Sequence, residues 1–315
     1  MGGGRRNEPV VQHLPVLVAE TLEWLAPRRG WFVDATVGLG GHAEALLEAS
    51  PDARLVGIDR DADALERAAA RLERFGGRVR LVRANFHFLE QALAASSIRD
   101  VAGVLADLGV SSLQLETAAR GFSFRRDGPL DMRMGMSDVT AADLVNTTAE
   151  GELERILRDY GEERQARRIA RAIVRAREEK PIETTGELKR LVDRAKGPRA
   201  AREERIDPAT RVFQALRIAV NQELAGLARF IEEAVNMLET DGRLVVISYH
   251  SLEDRIVKNT LRDLARGEVD PVTGRSRSES QLIEVLTRKP VRPSEEEVAF
   301  NPRARSARLR AARRL

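Results

Sequence analysis

The chain has 315 residues, 43% of them hydrophobic, with 52 Lys and Arg against 49 Asp and Glu for a net charge of +3, which suits one large or two modest domains with a buried core and excludes a largely disordered chain. It contains no cysteine, which rules out disulfide scaffolds, zinc–thiolate sites, thiol nucleophiles and zinc deaminases. No apolar run approaches the roughly 18 residues of a membrane helix, and the opening MGGGRRNEPVVQ lacks the apolar segment of a signal peptide, so a cytoplasmic location is expected.

From Trp31 to Leu108 short apolar runs alternate with helical patterns. Strands are predicted at Trp31–Val37, Arg54–Asp59, Val79–Ala84 and Val101–Leu108, and helices at Gly41–Ala49, Asp61–Phe75 and around Leu89–Ala95. This is the rhythm of a parallel α/β sheet. A helical stretch follows. Thr147-x-x-Glu150 predicts the start of a helix ending near Gly161, a second helix reaches about Glu179 before Pro181, and a third runs from Thr184-x-x-Glu187 to Gly197-Pro198. In the second, Arg164, Arg168, Arg171 and Arg175 fall on one face and Ala166, Ile169, Ala170 and Ile173 on the other. Asp207-Pro208 opens what reads as one long helix to about Glu239. The sheet rhythm resumes at Arg243–Ser248, followed by a helix at Leu252–Arg266, a polar loop at Gly267–Ser280 and strands at Leu282–Arg288 and Ala307–Arg313.

Charge is unevenly spread. Residues 1–107 hold 13 basic and 15 acidic side chains, whereas residues 155–211 hold 17 and 11, and the last fifteen residues add six arginines and no acid. Only five of the basic residues are lysine, and guanidinium groups suit phosphate contacts and stacking on bases. Two basic regions point to an extended anionic partner, although solvated helix faces give the same pattern.

The segment Phe32-Val33-Asp34-Ala35-Thr36-Val37-Gly38-Leu39-Gly40-Gly41-His42 turns from the first strand into the first helix of the sheet. Gly38-x-Gly40-x-x-Ala43 fits a dinucleotide fingerprint, and Asp34-x-Thr36-x-Gly38-x-Gly40 fits the strand end of S-adenosylmethionine (SAM) methyltransferases with threonine for the first glycine. An acid inside the strand favours SAM, because that cofactor carries an ammonium. Asp59 ends the next strand 21 residues after Gly38, where a ribose diol would sit, and Asp107 ends the fourth. None of His13, His42, His87 and His250 has a neighbour at metal-ligand spacing, so no catalytic metal is inferred.

Five longer stretches carry a resemblance. They are Asp107-Leu-Gly-Val-Ser-Ser-Leu-Gln-Leu115; Arg120-Gly-Phe-Ser-Phe124 with Gly128-Pro-Leu-Asp-Met-Arg-Met134; Thr210-Arg-Val-Phe-Gln-Ala-Leu-Arg-Ile218; Ser248-Tyr-His-Ser-Leu-Glu-Asp-Arg255; and Asn301-Pro-Arg-Ala-Arg-Ser306. Together they resemble the MraW, or RsmH, family of bacterial small-subunit ribosomal RNA methyltransferases, from about His13 to Arg308. The resemblance implies a Rossmann-like α/β methyltransferase domain with a doubly wound, mostly parallel sheet, formed by residues 1–135 and 208–315, and an all-helical insert over 136–207 for substrate recognition. It implies methylation of the exocyclic N4 of a cytidine in the decoding region of the small-subunit (16S) RNA, with SAM as cofactor and the assembled or nearly assembled small subunit as partner. SAM contacts are implied at Gly40, Gly41, His42, Asp59, Phe86, Asp107 and Gln114, beside Asp34 and Gly38 from the turn itself. Two departures from the family pattern stand out: Ser111-Ser112-Leu113-Gln114 for Ser-Ser-Pro-Gln, and Ser248-Tyr249-His250 for Ser-Phe-His.

The amine of cytosine is a poor nucleophile, and an acceptor for its hydrogen would help it pyramidalise. Asp107, with Ser111 and Ser112 as neighbours, is the catalytic candidate. Phe122, Phe124 and Tyr249 are candidates for stacking on a splayed base, against a core role for the phenylalanines. Asp131, Arg133, Asn221, His250, Asp254 and Arg255 are assigned to the substrate pocket or to loop bracing. Ser248, His250 and Asp254 lack the Gly-x-Ser-x-Gly elbow of a hydrolase triad. A nicotinamide oxidoreductase using the Gly38 turn and a non-catalytic RNA-binding assembly factor are the alternative readings.

Overall fold

The computed structural model describes residues 15–94, 98–135, 137–198, 207–267 and 280–315. Its strands are β1 (Gly30–Asp34), β2 (Ala53–Asp59), β3 (Val79–Arg83), β4 (Val101–Asp107), β5 (Leu238–Ser248), β6 (Ile283–Val285) and β7 (Arg308–Arg314). They form one sheet in the order β3-β2-β1-β4-β5-β7-β6. The first five are parallel, and β7 runs antiparallel between β5 and β6. Alternation along each strand sends side chains to opposite faces. Val33, Val56, Val104 and Val246 join one apolar layer, and Phe32, Leu55, Leu105 and Val245 join the other.

Strand addition runs outward from β1 through β2 to β3, then reverses to β4 on the other side of β1. Open α/β sheets bind ligands at such a reversal, at the carboxyl ends of the strands. Here Asp34, Asp59 and Asp107 are the last residues of β1, β2 and β4. Helices α1 (Val18–Leu25), α2 (Gly41–Ala49), α3 (Ala62–Leu72) and α4 (Leu89–Ala94) belong to this half of the chain, followed by the short α5 (Ser112–Glu116).

The chain then builds a helical body from α6 (Ala141–Thr147), α7 (Glu150–Asp159), α8 (Ala166–Glu179) and α9 (Thr185–Lys196). Its apolar core also draws on Phe122, Leu130, Met132 and Met134 before it and on Val212, Phe213 and Leu216 after it. Helices α10 (Thr210–Asn221) and α11 (Leu227–Met237) lead back to β5, and α12 (Ser251–Arg266) and α13 (Glu295–Phe300) complete the set.

Two predicted boundaries are corrected. Thr147 does not start α7: it ends α6, its hydroxyl donating to the Asp143 carbonyl, while α7 starts from Ala149 without a side-chain cap. The capping box upstream is Thr140 with Asp143, at the start of a helix the pattern did not reveal. The single long helix expected from Asp207-Pro208 to Glu239 is broken, because Gln222 adopts φ 51 and ends α10, and Gly226 at φ 84 starts α11. The box at Thr184 and Glu187 forms as expected. Most of the loop expected at Gly267–Ser280, and the Ala95 end of the helix before β4, lie outside the described residues.

Candidate active site

The turn after β1 is shaped by backbone that only glycine adopts freely. Gly38 and Gly40 have φ of 51° and 79°, and the N–H of Gly38 donates to Asp59 Oδ2 at 2.9 Å, tying the turn to the end of β2. Asp59 Oδ1 accepts the N–H of Asp61 at 2.9 Å, and burial raises the Asp59 pKa despite these two bonds. Asp34 Oδ1 accepts the Thr36 N–H at 3.1 Å. Among the described residues no cation pairs with Asp34, and burial, with the neighbouring Asp107 and Asp59 charges, pushes its carboxyl up to about 7 against the pull of His42. The Thr36 hydroxyl accepts the N–H of Asp107 at 2.6 Å, fixing the turn to β4 as well.

Asp107 lies between two side chains. The Tyr249 hydroxyl donates to Oδ1 at 2.8 Å, and His42 Nε2 stands 3.5 Å from Oδ2. Gly109 makes room for the phenol ring, since a Cβ there would lie 3.1 Å from Tyr249 Cδ2. Burial first, and Asp107 next, push the Tyr249 phenol well above 10, so it remains a proton donor across the physiological range. The two ring nitrogens of His42 are buried without a hydrogen-bond partner.

These groups line a cavity of about 400 Å³. Asp34 itself lies beneath the turn, beside the lining residues Ala35 and Thr36, and Gly40 packs toward Leu72 and Ala68 of α3. Gly38, Gly41, His42, Asp59, Phe86 and Gln114 are at the cavity surface, as are Ser111 and His250. Phe86 is held edge-on by Phe230, ring centroids 4.9 Å apart. Gln114 donates to Asp61 Oδ2 at 3.1 Å and accepts the Ser111 N–H at 2.9 Å, joining the segment after β4 to the cap of α3. Burial would raise the Asp61 carboxyl, but hydrogen bonds from Arg120 and Gln114 hold it below its ordinary value. Ser112 is the first residue of α5.

Several sequence candidates are elsewhere, each for a packing or pairing reason. Phe122 is buried in the core of the helical body, and Phe124 packs edge-on against Phe213 at 4.8 Å, so neither is free to stack on a base. Asn221 is buried, donating to the Met132 and Arg217 carbonyls and accepting the Met134 N–H. Arg133 closes on Asp131 through Nε and Nη2, an internal loop brace. Asp254 receives Arg310 Nε at 2.6 Å and so fastens α12 to β7. Arg255 reaches Glu162, at the end of the loop from the helical body, at 3.3 Å. His250, by contrast, lines the cavity and at the same time caps α12, its Nδ1 accepting the Glu253 N–H.

Sequence reasoning passed over a polar wall on the far side of Asp107. Arg217 of α10 lines the cavity with Glu223, His250 and Glu253. Burial would raise the Glu253 carboxyl, but His250 and Arg217 hold it low. Glu223, His250 and Glu253 bring donor atoms within 4.8 Å of one another, a set that histidine spacing could not reveal because Glu223 comes from a different segment. Arg217 already grips Glu223 with Nε and Nη2, at 2.9 Å each, so negative charge there is met from within the chain. The signal was available: Arg217 and Glu253 both lie in stretches distinctive enough to be singled out.

The arginine face of α8 is a second feature. Arg164, Arg168, Arg171 and Arg175 line a shallow concavity together with Arg167, which the face prediction omitted. Arg171 stands 3.6 Å from Glu150, and among the described residues the other four have no ion-pair partner. No helix among the described residues is long and apolar enough to cross a membrane.

Residues 10–315 match the model of the MraW methylase family. The chain belongs to the MraW methylase family. It is 54% identical over 314 residues to the ribosomal RNA small subunit methyltransferase H of Geotalea uraniireducens, covering 96% of this chain and 98% of that one. The enzyme of the same name from Geobacter sulfurreducens is also 54% identical, covering 96% and 99%, and that of Symbiobacterium thermophilum is 51% identical, covering 95% of each. Membership of this methylase family sets aside the nicotinamide reading of the Gly38 turn.

Proposed function

We propose that this MraW methylase transfers a methyl group from SAM to the exocyclic N4 of a cytidine in the decoding region of small-subunit ribosomal RNA, acting on the assembled or nearly assembled subunit in the cytoplasm. The observation that carries the reading is the convergence of Asp59 and Asp107 on one crevice at the strand reversal, with Asp34 beneath its turn and a cavity continuing past Asp107. The crevice suits SAM. Asp34 is a buried carboxylate without a cation, His42 has two unused ring nitrogens, and Asp59 keeps a spare lone pair on each oxygen for a diol.

SAM supplies a methyl group already made electrophilic by its sulfonium. The chain's own residues then have three tasks: Asp34 neutralises an ammonium, Asp59 takes hydroxyls, and Asp107 accepts hydrogen from the target amine. Tyr249 fixes one oxygen of Asp107 and leaves Oδ2 for the amine. The amine must lose a proton on methylation, and Asp107 at that place would accept it and favour the pyramidal nitrogen. The arginine face of α8 would hold RNA phosphates and so account for the basic helical body, with residues 136–207 as its centre.

The test is methyl transfer from labelled SAM to small subunits taken from cells lacking this gene, followed by digestion and mass analysis of nucleosides. Labelled N4-methylcytidine is the expected product. SAM binding without any labelled nucleoside would sink the reaction and leave an RNA-binding assembly factor.

A further inference from the structure

The wall formed by Arg217, Glu223, His250 and Glu253 is given no part in the proposed holding of SAM, yet His250 and Glu253 are buried and the Arg217–Glu223 pair is largely so, and such groups are costly to keep without a purpose. Arg217 is the part of it with unspent capacity. Its side chain is only 17% exposed and Glu223 holds Nε and Nη2 in a two-point grip, while Nη1 has no partner among the described residues. Its two N–H groups therefore remain available to an acceptor in the cavity that Arg217 lines.

The electrostatics narrow what that acceptor is. Glu223 cancels the charge of Arg217, and Glu253 stands 3.2 Å from His250 Nε2. The charges of the wall are met within it, so Arg217 offers donors rather than net charge, which suits a neutral group rich in lone pairs. The wall is also continuous with the reacting end of the cavity. The Tyr249 hydroxyl bonds Asp107 while the Tyr249 N–H bonds Glu253 Oε2 at 2.9 Å, so one residue joins the carboxylate for the amine to the cluster that holds Arg217. Cytosine has the matching layout: an amine on one edge position, with the acceptors N3 and O2 following along the same edge.

We propose that Arg217, oriented by Glu223, is the specificity-determining residue that donates from Nη1 to the N3 and O2 acceptor edge of the target cytosine. This rests on the reading of the cavity as an RNA methylation site and names the group that recognises its base. Uracil carries N3–H where cytosine has a lone pair, so the same guanidinium rejects it.

The experiment is a cycle between protein and substrate. Small subunits are reconstituted on RNA carrying cytidine or 2-thiocytidine, whose sulfur is a poor acceptor, at the position the wild-type enzyme methylates, and kcat/KM is measured for wild type and Arg217→Met. The expected result is a loss of about 10- to 100-fold from either change alone, and little further loss from both together, with the SAM Kd unchanged. Losses that multiply, with an active wild type, would overturn the assignment, because a merely structural role for Arg217 does not depend on the atom at position 2. Should Arg217→Met fail to fold, Glu223→Gln loosens the same guanidinium. A smaller loss on cytidine that vanishes on 2-thiocytidine is then expected, and an equal loss on both overturns the proposal. A wild-type enzyme that methylates no RNA would instead remove the underlying reading, and the base-recognition role with it.

Discussion

Asp34 is an acid kept short of a counter-charge. Its folded pKa of about 7 lies above its ordinary 3.8, so between those values the empty site holds a proton that an unfolded chain would have released. The sign follows directly: ionising Asp34 costs stability as pH rises, and an arriving ammonium repays that cost while expelling the proton. SAM affinity is therefore expected to rise with pH up to about 7 and then level off. Calorimetry at pH 6 in two buffers of different ionisation enthalpy should register proton release, and Asp34→Asn should abolish the release and weaken binding by about 10- to 100-fold at pH 8. Buffer-independent heats would show that Asp34 does not meet the ammonium. Asp107→Asn keeps an oxygen for the Tyr249 hydroxyl but loses the charge. A fall of about 100-fold in single-turnover methyl transfer is expected, with SAM binding nearly intact; an unchanged rate would assign the acceptor elsewhere. At this scale the strand-end acids were legible, because a carboxylate closing an apolar run beside a glycine turn is a local pattern. Arg217 and Glu223 were not, since their meaning depends on an encounter with His250 and Glu253 more than 25 residues further on.

Among the elements, α9 is fastened by an ion pair that has no surface component. Lys196 Nζ bonds Glu163 Oε2 at 2.8 Å, with side chains 0% and 1% exposed, and also reaches the Pro208 carbonyl at 3.1 Å. The pair joins the end of α9 to the loop before α8 and to the return segment toward α10. Lys196→Met leaves Glu163 buried without its cation, and a loss of about 3–5 kcal/mol is expected in denaturant melts. Pairing it with Glu163→Gln should recover much of that loss; no recovery would mean that Lys196 acts through packing alone. Helix starts were readable at Asp61 and Thr184, where a side chain caps the first turn ahead of a clear apolar pattern. The break between α10 and α11 was hidden because Gln222 takes a left-handed conformation that its residue type does not announce, and apolar periodicity continues on both sides of it. The switch from Thr147 to Thr140 as the cap has a similar cause, since Asp143 serves a capping box as a shorter stand-in for glutamate.

For the molecule as a whole, the helical body is coupled to the methyltransferase half close to the cavity. Glu162 accepts the Ser251 hydroxyl at 2.6 Å and a guanidinium hydrogen of Arg255 at 3.3 Å, both on the helix that His250 caps. The arginine face begins two residues later, at Arg164. Charge reversal at Arg164, Arg168, Arg171 and Arg175 is expected to weaken RNA binding and flatten its salt dependence, each lost phosphate contact lowering the slope of log K on log salt by about 0.7 to 0.9, while SAM affinity is retained. Filter binding across a salt series is the check, and an unchanged slope would remove α8 from the RNA path. The basic character of this region was visible in the sequence. The contact of its preceding loop with α12 was not, because it follows from how the turn between α7 and α8 folds.

The sheet order has a further consequence, in time rather than space. β4 ends at Asp107 and its neighbour β5 begins at Leu238, so the strands that frame the cavity close a loop of about 130 residues. A chain of that length is slow to bring its ends together unless something shortens it first. The helical body does so: its short-range contacts between α7, α8 and α9 can form on their own and draw residues 108 and 237 toward each other. Assembly is therefore expected to run from the insert inward, with helical-body amides protected before those of β4 and β5 in pulsed hydrogen exchange; simultaneous protection would argue for a single concerted step. On this order of events, the helical body acts first as the scaffold on which the cavity is closed.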